Sequence, residues 1–200
     1  MIRHIDSTIV HGVPISVVSP TDHFDRWHQV TCRDFSHTEC LKTPRKAFSA
    51  SISELRLGPV SVNSIWCSPS DAEQIHIRRQ RGDIRRDPRD HFMIWLSLGG
   101  TTIFEQNDRE VVLQGNDLML HDQARPFSLR FPSISHAITV QVPRTLVMDR
   151  LRGADCLTAM PLRGTSPLGA LAGGLVRQLA TLRGSVDDTT SDRIALSALD

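Results

Sequence analysis

The sequence lacks the long apolar run and the paired cysteines that would assign it to a membrane or to an oxidising compartment. No stretch approaches the roughly 20 consecutive apolar residues that a membrane-spanning helix requires. The cysteines Cys32, Cys40, Cys67 and Cys156 form no C-x-x-C pair. Residues 1–8 carry charged side chains and do not resemble the apolar core of a secretory signal. We therefore expect a cytoplasmic protein whose thiols stay free, with no membrane partner.

The sequence also lacks the short motifs of the common enzyme classes. It contains no G-x-S-x-G, no phosphate-binding loop and no G-x-G-x-x-G. A His-x-His pair is missing too, since the residue two positions after His76 is Arg78. We therefore expect no catalytic residue, no cofactor and no metal site.

A surplus of charge of one sign is absent as well. The formal net charge is +1, so no overall field attracts nucleic acid or an anionic membrane. Hydrophobic residues make up 40% of the chain, which is enough to form a core and argues against disorder. Two hundred residues allow one sizeable domain, or one domain with an extension.

A series of short strand patterns between Phe92 and Phe131 is the most ordered feature that is present. At its start, Phe92, Ile94, Leu96 and Leu98 alternate with Met93, Trp95 and Ser97. Such a period of two is typical of a strand with two different faces. Gly99-Gly100 and Asn107-Asp108 punctuate the pattern, and Gly115 is predicted to supply a positive φ in a further turn. Turns this frequent predict an antiparallel barrel or sandwich.

The order of these features resembles the N-terminal effector domain of AraC/XylS-type transcription regulators. The matching features are Gly99-Gly100 after a strand, the Gly115-Asn116-Asp117 turn, Asp122 followed by Arg125-Pro126-Phe127, and Val142-Pro143-Arg144 opening a helix. The resemblance extends more weakly from about Trp27 to Leu182. It implies a mainly β fold with C-terminal helices, namely a cupin-like antiparallel β-barrel (a double-stranded β-helix) followed by helices.

The same resemblance implies a division of the chain and a function. Residues 1–145 would form a sensor barrel with an N-terminal helix, and residues 146–200 a helical dimerisation segment that stops before a DNA-binding domain. A small-molecule effector in the barrel would alter DNA binding by a downstream helix-turn-helix domain. The implied partners are the effector, a second copy of the chain, and DNA only through a domain absent from this chain. A cupin-fold metalloenzyme is an alternative, although the missing His-x-His pair disfavours it.

Candidate ligand-binding residues lie on the mixed face of the strand that begins near His91. On a strand, His91, Met93, Trp95 and Ser97 share one side. A face that combines apolar and polar groups is suited to line a pocket for a small organic molecule, whereas tryptophans that merely fill the core are the alternative. The expected ligand-binding residues are Trp66, Arg79, His91, Trp95 and His121.

Arginines crowd the end of one predicted strand and the loop that is expected after it. The spacing from Arg81 to Arg85, and from Arg85 to Arg89, is R-x-x-x-R. It is similar to the cyclic-di-GMP motif of PilZ domains, although the companion [DN]-x-S-x-x-G is absent. Arginine forks match phosphate bidentately, so Arg78, Arg81, Arg85 and Arg89 are an alternative anion-binding set. A solvated, ion-paired loop is the other interpretation.

A leucine stripe on a predicted C-terminal helix is the expected dimer contact. Ser166-Pro167 is a typical helix start. The stripe consists of Leu168, Leu171, Leu175, Leu179 and Leu182. Leucines at spacings of three and four form a narrow apolar seam, which pairs with a second copy or packs on its own barrel. Since these helices carry no clustered basic face, we do not expect the chain itself to bind DNA specifically.

Overall fold

The computed structural model describes residues 8–10, 13–15, 20–42, 48–68, 74–182 and 188–200. The strands of the described chain are β1 Thr8–Val10, β2 Val13–Ile15, β3 Glu39–Lys42, β4 Ser49–Leu57, β5 Val60–Ser68, β6 Ile75–Arg79, β7 His91–Gly100, β8 Thr102–Gln106, β9 Arg109–Leu113, β10 Leu118–Asp122, β11 Phe127–Phe131, β12 Ser135–Pro143 and β13 Pro161–Leu162. The helices are α1 Pro20–Gln29, α2 Arg81–Arg86, α3 Arg144–Met148, α4 Pro167–Thr181 and α5 Asp188–Leu199. A π-helical turn, Val30–Asp34, continues α1, and a 3-10 turn spans Ala154–Leu157.

The strands form two sheets with predominantly antiparallel pairing. The larger sheet has the order β13-β10-β7-β12-β5-β4-β1-β2, and the smaller one has the order β3-β6-β11-β8-β9. Their facing sides share one apolar cluster, to which the larger sheet contributes Trp95 and the smaller sheet Phe104 and Phe131. The predicted antiparallel β fold with C-terminal helices is therefore confirmed, as two facing sheets rather than one continuously hydrogen-bonded barrel.

The outer side of the larger sheet is covered by the C-terminal helices. A second apolar cluster joins Phe92, Leu96 and Val142 of the sheet to Val176 and Leu179 of α4. Residues of α5 join the same cluster, so α4 and α5 pack on the sheet that also faces the interior. The larger sheet is thus the shared wall between the interior and the helical layer.

Local turn chemistry explains where the strands of the interior begin and end. Asn107 and Asp108 have φ values of 54° and 59°, as a two-residue hairpin with the twist of its strands requires. Gly100 has φ 74°, and a Cβ there would lie 1.7 Å from the carbonyl oxygen of Ile134, so only glycine fits. The expectation of a positive φ at Gly115 is wrong: the neighbouring Asn116 has it, at 70°.

The arginine-rich segment after β6 is a short helix, which corrects the prediction of a loop. The side chain of Asp83 accepts a hydrogen bond from the backbone N–H of Gln80, and the Gln80 side chain caps the same turn in return. This reciprocal capping satisfies orphan donors at the start of α2. Glutamine is not among the residues preferred at an N-cap, so the sequence carried no standard signal for this helix start.

Candidate functional site

The mixed face of β7 points into the space between the two sheets. Met93 and Trp95 are 5% and 4% exposed and belong to the interior cluster. Phe92 and Leu96 alternate with them and belong to the outer cluster beneath the helices. The alternation predicted for this strand therefore separates an aliphatic face that carries the helices from a mixed face that lines the interior.

A cavity of about 60 Å³ lies against this mixed face. Its wall brings together α1 with its π-helical turn, both sheets and the segment that follows β10. The lining consists of Trp27, Thr31, Phe35, Ser36, Thr38, Ile65, Cys67, Ile77, Met93, Trp95, His121, Gln123, Phe127, Leu129, Phe131 and Ser135. The wall is mainly apolar and aromatic with a few polar groups, as is typical of small-molecule pockets.

His121 is the most unusual group in the wall of the cavity. Its ring packs against both Phe104 and Phe127, with centroid distances of 5.0 and 4.9 Å. The residue is 1% exposed, and neither ring nitrogen has a hydrogen-bond partner in the described chain. Burial, and to a smaller extent the charge of Arg79, lower the pKa of His121 to about 3. The imidazole is therefore neutral at physiological pH, with one donor and one acceptor nitrogen.

Two indole rings contribute further unpartnered donors to the same wall. The Nε1 atoms of Trp95, on β7, and Trp27, on α1, are buried and make no hydrogen bond with any described residue. Trp95 is stacked on Phe131 at 6.1 Å, and Trp27 meets Phe48 edge-on at 5.3 Å. These aromatic contacts hold the rings in place while leaving the N–H groups free.

Arg79, expected as a polar anchor, lies beside this cavity but does not line it. Its Nε donates to the carbonyl oxygen of Gln123 at 3.0 Å, and its two terminal nitrogens donate to the carbonyl oxygens of His37 and Asp87, each at 2.6 Å. The side chain is fully buried, with the Asp87 carboxylate 3.8 Å from Nη1. Arg79 therefore joins β6 to three other segments and directs no described N–H group at the cavity.

Two other expected ligand residues, Trp66 and His91, also lie outside the lining. Ile65 and Cys67 line the cavity, so Trp66 between them points to the opposite face of β5 and is half-buried. His91 lines a separate polar chamber of about 190 Å³, in which Phe35 is the residue shared with the cavity. Burial and then the charge of Arg89 lower the pKa of His91. Of the five expected ligand residues, the structure thus brings Trp95 and His121 together.

A buried carboxylate connects the cavity wall to the helical segment. Asp122 follows His121 directly, is 1% exposed, and accepts a hydrogen bond from Nη2 of Arg144, the first residue of α3. Arg144 also donates through Nε to Asp90, at 2.5 Å, and its guanidinium carbon lies 4.5 Å from the centre of the Phe92 ring. The end of β10, the start of β7 and the start of α3 therefore meet at one ion-paired junction.

The arginines proposed as an anion site divide into bound and unpartnered groups. Arg78 donates to Glu39 at 3.1 Å, and Arg89 donates to Asp87 at 2.9 Å. Arg81 and Arg85 are exposed on α2 and form no hydrogen bond or ion pair with any residue that the structure describes. Of the two R-x-x-x-R pairs, only Arg81 with Arg85 is therefore available to a ligand at both ends.

The predicted leucine seam of α4 is divided between solvent and the protein's own core. Leu168, Leu171 and Leu175 are 63%, 73% and 44% exposed, whereas Leu179 is 8% exposed and Leu182 is half-buried in the outer cluster. The face of α4 against the sheet is made chiefly of small residues. They include Gly169, Ala172, Gly173 and Val176. A Cβ at Gly173 would lie 3.4 Å from Leu96, so small residues permit this close approach.

Sequence reasoning missed Trp27 and Phe35 as wall residues of the cavity. The apolar spacing around Trp27 predicts a helix packed on the β fold, and α1 packs there. That spacing does not show that the indole nitrogen of Trp27 has no hydrogen-bond partner. Within the described residues, no three His, Cys, Asp or Glu side chains converge as a metal site would require. No described helix is long and apolar enough to cross a membrane.

Comparison with known proteins places these features in context. Residues 27–200 match the model of a family described as the AraC-binding-like domain. A protein from Bacillus sp. (strain OxB-1), named as an uncharacterized protein in the nit 5′ region, is 27% identical over 194 residues. The alignment covers 96% of this chain and 72% of the Bacillus protein.

A solved structure shares the fold at low sequence identity. The AraC-like transcriptional activator CuxR superposes with a TM-score of 0.74 at 14% identity, over 90% of this chain. The present chain spans 65% of the CuxR chain, which is therefore longer. A cupin superfamily protein from Desulfitobacterium hafniense aligns with a TM-score of 0.37 at 10% identity, over 48% of this chain and 78% of that one.

Proposed function

Because the chain belongs to the AraC-binding-like domain family, we propose that it is the effector-sensing and dimerisation part of a cytoplasmic AraC-type transcription regulator. The effector binds in the cavity between the sheets, and DNA is bound by a helix-turn-helix part of the same regulator that lies outside these 200 residues. The observation that carries the proposal is the cavity itself, whose wall residue His121 adjoins the Asp122–Arg144 ion pair at the start of the helices.

The proposed mechanism is a shift between two arrangements of sheet and helices. An effector that touches His121 acts on the end of β10, where Asp122 holds Arg144 and therefore α3. A ligand moves this equilibrium only by its difference in affinity for the two arrangements. A hundredfold difference corresponds to about 2.7 kcal/mol, which is within the usual range for coupling between sites. The Asp122–Arg144 ion pair is where such a difference in binding would reach α3.

The test of the sensing role uses the whole regulator gene in cells. A reporter driven by the DNA that flanks the gene is screened against a panel of small organic compounds. We expect at least one compound to change the reporter output in the wild type. The same compound should be at least tenfold less effective in the His121→Phe variant. Trp66→Phe is the matched control, since Trp66 lies on the other face of its strand, and it should respond normally. A response that survives in His121→Phe would show that the effector acts elsewhere.

Dimerisation is proposed to use the exposed half of the leucine stripe. Leu171→Asp places a charge on a side chain that is 73% exposed, so we expect a folded protein that sediments as a monomer. Leu157→Asp alters a leucine that is 39% exposed on the 3-10 turn and should leave self-association unchanged. A wild-type chain that is monomeric, or a Leu171→Asp dimer, contradicts this role. Leu179→Asp should unfold the domain, because Leu179 is buried.

A cyclic dinucleotide is a second candidate ligand, at a different site. The favouring observation is the pair Arg81 and Arg85, which lie one turn apart on α2 and lack partners in the described chain. Calorimetric titration with cyclic-di-GMP should give binding heat that Arg81→Ala with Arg85→Ala abolishes. Arg86→Ala is the control, since Arg86 faces His37 at 3.3 Å. If no binding heat is seen at ligand concentrations of tens of micromolar, this candidate is removed. A dissociation constant in that range corresponds to a binding free energy of about −6 kcal/mol.

A further inference from the structure

The cavity beside Trp95 has a wall without charge. Within the described chain, none of its lining residues is Asp, Glu, Lys or Arg. The pKa of His121 is lowered to about 3, and burial raises the pKa of the Cys67 thiol to about 12, so both stay neutral at physiological pH. Transfer of a charged molecule into such a space loses hydration, and no group of opposite charge in the wall compensates for that loss. The wall therefore selects against both cations and anions.

The nearest charged groups are already engaged outside the cavity. Arg79 donates to three backbone carbonyl oxygens and lies near Asp87. Asp122 accepts from Arg144 and lies 3.4 Å from Arg125. Neither can turn toward a ligand without breaking hydrogen bonds that satisfy a buried charged group, which costs about 1–3 kcal/mol or more. Neither a cationic nor an anionic ligand would therefore find a free charged group to pair with at this site.

The wall contains an unpartnered hydroxyl, that of Thr38, and unpartnered ring nitrogens, which are chiefly donors. The indole nitrogens of Trp27 and Trp95 can only donate, and neutral His121 adds one donor and one acceptor. These four ring nitrogens belong to three side chains that line the one cavity. Buried donors without partners are rare in folded proteins, and each calls for a bound group that completes it. The complementary group is a hydrogen-bond acceptor, such as a carbonyl oxygen.

Resting on the proposed sensing role, we infer that the cavity takes a small uncharged organic molecule that carries a hydrogen-bond acceptor. The acceptor receives N–H groups of Trp27, Trp95 and His121, while the apolar part of the molecule contacts Phe127 and Phe131. A volume of about 60 Å³ is less than half of the roughly 150 Å³ that holds benzene in a protein core. The fitting molecule therefore has only a few non-hydrogen atoms.

The test compares three probes of nearly equal shape and different charge: acetamide, acetate and acetamidinium. Indole 1H–15N signals of the 15N-labelled chain are recorded during titration to about 100 mM at constant ionic strength, because so small a ligand binds in the millimolar range. Trp27→Phe, Trp66→Phe and Trp95→Phe assign the three indole signals. Trp66, half-buried on the opposite face of its strand, serves as an internal control.

We expect acetamide to shift the Trp27 and Trp95 signals saturably, leaving the Trp66 signal unchanged, while acetate and acetamidinium shift none of them. His121→Phe should weaken acetamide binding at least tenfold, and Trp66→Phe should not. Larger shifts with acetate or acetamidinium overturn the uncharged class. If none of the three probes shifts an indole signal, or if all three indole signals shift equally, the inference is overturned and water is the occupant. The reporter screen assumes nothing about ligand charge, so the proposed function stands or falls separately.

Discussion

The two faces of β7 show how one strand meets two demands. The outer face, with Phe92 and Leu96 both 0% exposed, is aliphatic or aromatic and lies under the helices. The inner face carries Trp95 and Ser97, and each has a buried polar atom without a partner in the described chain. The outer face therefore stabilises the fold, whereas the inner face carries unsatisfied hydrogen-bonding groups that a ligand can pair with. Substitutions on the two faces should accordingly have opposite consequences.

The largest effect is expected on the outer face. Leu96→Ala removes a fully buried side chain that lies close to Gly173 of α4. The free energy of unfolding should fall by about 2–5 kcal/mol, since deletion of a buried leucine leaves a cavity. Urea denaturation measures the loss, and Leu98→Ala, at a half-buried site of the same face, should cost less. Equal losses at the two positions would mean that the helices do not seal this face.

A medium effect is expected at His121 of β10, which pairs with Met93 on the inner face of β7, when the pH is lowered. The pKa of His121 is lowered to about 3, against an ordinary 6.5 in the unfolded chain. Below pH 6.5 the unfolded chain gains a proton that the folded chain does not, so stability falls by up to about 1.4 kcal/mol per pH unit until pH 3. Between pH 7 and pH 5, the wild type should lose about 2 kcal/mol more than His121→Phe.

Urea unfolding of both proteins at the two pH values makes this comparison. The other histidines are common to both, so their contributions cancel in the difference. A His121→Phe protein with the same pH dependence as the wild type would show that His121 is accessible to protons in the fold. Arg79 lowers the pKa of His121 to a smaller extent than burial does, and it is unchanged in both proteins.

The smallest effect is expected at His121 at pH 7. His121→Phe removes two buried nitrogens without partners and keeps a ring against Phe104 and Phe127. Its free energy of unfolding should equal the wild-type value or exceed it by about 1 kcal/mol, because an orphaned polar group is lost. Urea denaturation at pH 7 measures this, and a loss of more than 2 kcal/mol would mean that the imidazole has a partner.

The sequence allowed the two faces of β7 to be separated, but not all of the cavity to be located. The strict alternation around Trp95 fixes which residues lie together, because side chains on a strand change face at every position. Trp66 could not be assigned in this way, since it stands between the apolar Ile65 and Cys67. Either face of that strand was equally acceptable for burial.

His91 and Arg79 show two further limits of sequence reasoning. His91 shares a face with Trp95, yet four residues along a strand span about 13 Å, which places it in the neighbouring chamber. Arg79 lies on β6 of the facing sheet, and its guanidinium is occupied by backbone carbonyl groups of Gln123, His37 and Asp87. Every residue has a backbone carbonyl group, so the sequence does not show which carbonyl groups an arginine will bind.

The π-helical turn at Val30–Asp34 sets the angular register of the helix that roofs the cavity. Its wide hydrogen bond runs from the N–H of Phe35 to the carbonyl oxygen of Val30, at 2.9 Å. In a regular α-helix, residues eight positions apart diverge by about 80° around the axis. The wider turn recovers part of that drift, so Trp27, Thr31 and Phe35 all face the same cavity. If this turn became a regular α-helix without a change in its number of residues, Phe35 would rotate away from the face that carries Trp27, and both chambers that Phe35 lines would change shape.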